Sequence, residues 1–208
     1  MKKIVLLGAM TAVTVGLLTG CNDPRAANDK NIETAVKQYL SEDGALCLQM
    51  HEWPLLLEPD DLKMLTRFPK GIAGQMAMLE HAGVVSSEEV VQKDKVFIVG
   101  SNISKRYQLT ALGKKFFHAK TTDSAGRALD ADLCYAQKEL NSLTKWEGAP
   151  STGLVTATYT YKVADLADWA KTPEFNTVFE DVATAGLQPQ PEQRAIKLEV
   201  KGWQVVAQ

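Results

Sequence analysis

Apolar positions recur at two spacings along this chain, and each change of spacing marks a new element. Ile32, Ala35, Val36, Tyr39 and Leu40 repeat at helical intervals, which predicts a helix over 31–40. Asp43-Gly44 closes it, because glycine suits a helix C-terminus. Residues 45–53 alternate instead: Leu46, Leu48 and Met50 share one face, while Cys47, Gln49, His51 and Trp53 share the other. That predicts a strand stopped by Pro54. Asp60-Asp61 starts a second helix with Leu62, Met64 and Leu65 as its apolar side, broken at Phe68-Pro69-Lys70-Gly71. A third helix is predicted over 72–81, with Ile72, Met76, Leu79 and Ala82 in register and Gly83 as its stop.

Beyond a polar connection at 121–126, the pattern turns to sheet. Residues 132–146 fit a helix through Leu133, Ala136, Leu140 and Leu143, and a long strand as well. The strand is preferred because residues 154–163 alternate cleanly, with Val155, Ala157, Tyr159, Tyr161 and Val163 opposite Thr156, Thr158 and Thr160. Asp165 is expected to cap a short helix that turns Leu166, Trp169 and Ala170 inward. A last strand is predicted over 195–206, with Ile196, Leu198 and Val200 inward and a bulge at Gly202. The expected fold class is α+β. A helical module over 30–120 packs with an antiparallel sheet module over 127–208 that carries a short helix.

The first residues read as an export signal. Met1-Lys2-Lys3 is a short positive start, and the apolar run over 4–18 is shorter than the roughly 20 residues of a membrane-spanning helix. It ends in Leu18-Thr19-Gly20-Cys21, which resembles the lipobox of bacterial lipoproteins. The resemblance implies cleavage after Gly20, a diacylglycerol on the Cys21 thiol, and a tether over 21–29. In such proteins an Asp directly after the lipidated cysteine goes with retention at the inner membrane. Asn22 stands there in this chain, so the expected location is the outer membrane, facing the periplasm.

A second resemblance rests on Leu79-Glu80-His81-Ala82-Gly83-Val84-Val85 followed by Tyr107-Gln108-Leu109-Thr110-Ala111-Leu112-Gly113-Lys114. A helix closing in this way, then a hairpin and a Leu-Thr-x-x-Gly turn, is similar to part of a winged-helix domain over about residues 60–118. DNA binding is not carried over, since fold alone does not license function and an envelope domain meets no chromosome.

Charge agrees. Without Lys2 and Lys3 the mature chain has 21 basic residues against 25 acidic, which excludes a general nucleic-acid binder. Locally, Lys93, Lys95, Lys105, Arg106, Lys114, Lys115 and Lys120 crowd a stretch where only Asp94 opposes them. They form a candidate interaction surface, to be weighed against a plain solvated hairpin. Cys47 and Cys134 are the pair left once Cys21 is lipidated, and an oxidising compartment favours a disulfide between them.

Chemistry is sparse. The chain has no Gly-x-Ser-x-Gly, His-Glu-x-x-His, phosphate-binding loop or dinucleotide fingerprint, and no cofactor is expected. Cys47-x-x-x-His51 with Glu52 offers too few ligands for a structural zinc, so no metal is expected. Asp60-Asp61 and Glu88-Glu89 are adjacent pairs that rarely converge on one substrate. Trp146, Trp169 and Trp203 could line a glycan or peptide groove or simply pack a core. The reading that follows is a non-catalytic envelope lipoprotein that binds a protein or glycan partner. An envelope- or wall-acting enzyme and a small-ligand carrier are the alternatives.

Overall fold

The computed structural model describes residues 23–50, 52–91, 103–180, 182 and 190–206. Residues 1–20, expected to be an export signal, and Cys21, His51, Lys93 and Lys95 lie outside the described residues. In chain order the elements are α1 (Asp29–Asp43), β1 (Ala45–Met50), β2 (Leu55–Leu57), α2 (Pro59–Lys63), α3 (Ile72–His81), β3 (Val85–Val91) and β4 (Ile103–Leu109). There follow β5 (Phe117–Thr122), β6 (Ala128–Ala149), β7 (Leu154–Ala164), α4 (Pro173–Val178), β8 (Gln190–Glu199) and β9 (Gly202–Val205).

Strand β6, 22 residues long, is the spine of the molecule. One stretch of it pairs with β1, another with β5, and its C-terminal part with β7. The antiparallel order β1-β6-β7-β8-β9, with β5 also on β6, makes a six-stranded sheet that curls about its contents. A second sheet, ordered β2-β4-β3, stands apart from it. The Cys47–Cys134 disulfide joins directly opposed residues of β1 and β6, with an S–S distance of 2.10 Å. It closes the chain excursion that carries β2, α2, α3, β3 and β4.

Two cores fill the fold. In the first, Met76 and Leu79 of α3, Leu57, Val85 and Tyr107 of the small sheet, and Leu133 and Tyr135 of β6 surround Trp169, Phe175 and Phe179. Phe175 meets Trp169 edge-on at 5.3 Å and stacks on Phe179 at 4.4 Å. In the second, Ile32, Ala35, Val36 and Leu40 of α1 pack on Leu140, Val155, Ala157, Tyr159, Ile196 and Trp203.

This arrangement corrects the expected fold class. The protein is mostly β, with 47% of the described residues in strands, and the N-terminal helix is a single short one. The N-terminal half is not a helical module set beside a separate antiparallel sheet module, because α1 lies on the C-terminal strands and β1 and β5 belong to the six-stranded sheet. The physical reason is the size of the apolar surface available. The α1 stripe needs a broad apolar partner, and the alternating inner face of β6, β7 and β8 supplies it. Residues 132–146 are strand throughout. Residues 195–206 are not one strand but two, turning at Val200-Lys201.

The Leu-Thr-x-x-Gly motif has a packing role. The Thr110 hydroxyl donates to the Gly83 and Val84 carbonyls at 2.7 and 3.0 Å, and Gly113 N–H donates back to Thr110 Oγ1 at 3.1 Å. A Cβ on Gly113 would stand 2.1 Å from Val84 O, so only glycine fits. The motif pins the end of β4 to the junction between α3 and β3.

Candidate functional site

From Asp23 onward the chain is bound to the domain at once. Asn31 Nδ2 donates to the carbonyls of Asp23 and Ala26, each at 2.8 Å. Trp203 Nε1 reaches the carbonyls of Arg25 and Ala26, both at 3.2 Å. Pro24 lies so close to Gly202 that an added Cβ would meet Pro24 O at 3.0 Å. Nearby, Trp146 Nε1 donates to Asp29 Oδ1 at 2.8 Å. The stretch expected to be a short tether over 21–29 is docked from Asp23 onward, at the end of the sheet where β9 begins.

The turn between α2 and α3 presents a different surface. Met64, Leu65, Phe68 and Ile72 are all exposed, Phe68 by 58%. Phe68 N–H donates to Met64 O at 2.7 Å and Gly71 N–H to Phe68 O at 2.9 Å, so the backbone is tightly wound. The turn can sit on α3 because Gly74 has no side chain; a Cβ there would lie 1.8 Å from Pro69 O. Three cations rim the apolar residues. Arg67 lies 6.0 Å from the Phe68 ring centroid, Lys63 pairs with Asp60 at 2.8 Å, and Lys70 pairs with Glu180. Sequence reasoning assigned Met64, Leu65 and Ile72 to buried faces. Their exposure follows from the brevity of α2, which ends at Lys63 and leaves Leu62 as its inward contact.

A third group of side chains couples α1 to the sheet. Glu192 takes Lys138 Nζ at 2.5 Å on Oε1 and the Tyr159 hydroxyl at 2.8 Å on Oε2. Arg194 Nε donates to Tyr39 OH at 3.2 Å, and Lys138 lies 4.4 Å from the centre of the Tyr161 ring. Burial alone would raise the Glu192 pKa, but hydrogen bonds from Lys138 and Tyr159 and the neighbouring cations hold it below its ordinary value. Tyr159 is pushed up, first by burial and then by its bond to Glu192. These groups satisfy one another, which makes them a structural network and not an acid–base pair facing substrate. The adjoining groove, about 280 Å³, is lined in part by Leu40, Ser41, Gln137, Lys138, Glu139 and Asp165.

Of the basic residues singled out from the sequence, three among the described residues have acidic partners. Arg106 pairs with Glu88 at 2.9 Å, Lys105 lies 3.9 Å from Glu80, and Lys120 pairs with Asp132 at 2.8 Å. Lys114 and Lys115 sit in the 3₁₀ turn before β5. The opposing acids come from α3, β3 and β6, outside the sequence window in which the cluster stood out. Asp60 and Asp61 serve at the start of α2, where Asp61 Oδ2 accepts from Glu58 N–H at 3.0 Å. The tryptophans form no common groove: Trp169 is buried in the first core, and Trp203 in the second with Trp146 packed against it. Cys47 is in the disulfide, and among the described residues no three His, Cys, Asp or Glu side chains gather as metal ligands.

No family model, curated protein or solved structure matches this chain.

Proposed function

We propose that this chain is a lipoprotein of the bacterial envelope, cleaved before Cys21 and held at the periplasmic face of the outer membrane, and that it binds a protein partner without catalysing a reaction. The observation that carries the binding role is the exposed turn bearing Met64, Leu65, Phe68 and Ile72. Contiguous apolar surface on a soluble domain marks an interaction site. Phe, Met and Arg are the residue types enriched where proteins meet. The rim of Lys63, Arg67 and Lys70 suits a partner whose apolar surface is bordered by acidic groups.

Position supports the same reading. The docked N-terminus lies beside Trp146, near one end of β6, whereas the turn lies over α3 and β1, level with Leu133. The two places are separated by about 40 Å along the strand. Anchored through Cys21, the domain would hold the turn away from the lipid. A glycan partner is less well supported, because Trp169 and Trp203, which could stack on sugars, are buried.

A photo-crosslinking residue in place of Phe68 tests this in living cells, with Thr144 as a second exposed position. A defined adduct from position 68, absent from position 144 and lost in a Met64→Asp/Leu65→Asp background, is the expected result. Equal labelling from both positions, or none from 68, would remove the turn from the account.

A further inference from the structure

We infer that the β8–β9 turn, with Val200 at its tip and Leu154 beside it, rests in the headgroup layer of the membrane and fixes the orientation of the domain. This rests on lipidation of Cys21 as proposed above.

The argument starts from chain length. Cys21 is three residues before Pro24, so the acylated sulfur can lie at most about 11 Å of extended backbone from it. Pro24 packs on Gly202, the first residue of β9, and Trp203 holds the next two carbonyls. The acyl chains therefore enter the bilayer within a few residues' reach of the β8–β9 turn. Only Asn22 stands between Cys21 and the docked chain that begins at Asp23, so this end of the sheet has little room to stand off from the surface.

The side chains at this end fit that contact. Val200 is 89% exposed, the most exposed of the large apolar side chains among the described residues. Sequence alternation placed it inward; the break between β8 and β9 puts it at the tip. Leu154 is exposed on the neighbouring strand, opposite Lys197. Of the nearby acids, Glu199 pairs with Lys197 at 2.9 Å and Glu147 with Lys145 at 3.0 Å, while the Asp23 carboxylate accepts from Arg25 N–H at 2.9 Å. Arg25 and Lys201 make no ion pair among the described residues; Lys201 follows Val200 in the turn, and Arg25 follows Pro24, which packs on Gly202. An apolar tip near two cations suits the interface of an anionic bilayer. The lipid anchor would supply the affinity and the turn the orientation.

The test uses the lipidated full-length protein with Val200→Cys carrying a polarity-sensitive fluorophore, reconstituted on phosphatidylethanolamine–phosphatidylglycerol vesicles. A Phe68→Cys label serves as the distal reference. The expected result is a blue shift and quenching by lipid-borne nitroxide at position 200, with neither at position 68. Removing the acyl chains through Cys21→Ser should abolish both effects. If the lipidated protein floats with the vesicles while the label at 200 stays in water, the turn proposal fails and the anchor reading stands. If the protein isolated from cells carries no lipid and does not float, the anchor reading fails and this inference with it.

Discussion

The indole N–H of Trp203 and the backbone carbonyl of Arg25 lie 3.2 Å apart, and through this contact the last strand grips the segment that leads into α1. Trp203 is itself buried against α1 and β8. Trp203→Phe keeps an aromatic ring there but removes the donor. It should lower stability by about 1–2 kcal/mol, combining a lost hydrogen bond with a small packing defect. Amide exchange at Ala26, whose N–H donates to Asp23 O, should quicken. Unchanged exchange at Ala26 would mean that the grip does not depend on Trp203.

The disulfide ties β1 to β6 across a sequence separation of 87 residues. Cys47→Ser combined with Cys134→Ser should cost about 2–4 kcal/mol, mainly by freeing the unfolded chain. Urea unfolding of the double variant, compared with the oxidised protein, measures this directly. Equal midpoints would show that the cross-link adds nothing to stability.

Glu192 and Tyr159 predict opposite pH effects. The Glu192 pKa is lower in the folded protein than its ordinary value of 4.5, so its contribution is full above that pH and is lost as the pH falls below it. The Tyr159 pKa is raised above its ordinary value of 10.0, so its contribution is full below pH 10.0 and is lost as the pH rises past it. Glu192→Gln should flatten the acid limb of a melting-temperature profile, and Tyr159→Phe the alkaline limb. Profiles that keep both limbs in the two variants would place the titrating groups elsewhere.

Local periodicity made the elements legible, while the long-range pairings were hidden. The helical stripe of Ile32, Val36 and Leu40, the α3 interval and the alternation of β7 all correspond to observed elements. The surface on which α1 lies could not be read, because its partners Leu140, Ala157 and Ile196 are more than a hundred residues away in sequence. Short apolar groups misled for a related reason. Met64, Leu65 and Val200 have core-like spacing, yet a helix that ends early and a tight turn expose them. The basic stretch looked unopposed because Glu80, Glu88 and Asp132, which face it, belong to other strands and to α3.

The claim on which the rest depends is the anchor at Cys21, and intact-mass and N-terminal peptide analysis of the protein isolated from membranes of its bacterial host tests it most directly. The account predicts a mature chain that begins at Cys21 and carries a diacylglyceryl group on the thiol. A chain that retains residues 1–20, or one with an unmodified thiol at Cys21, would contradict it.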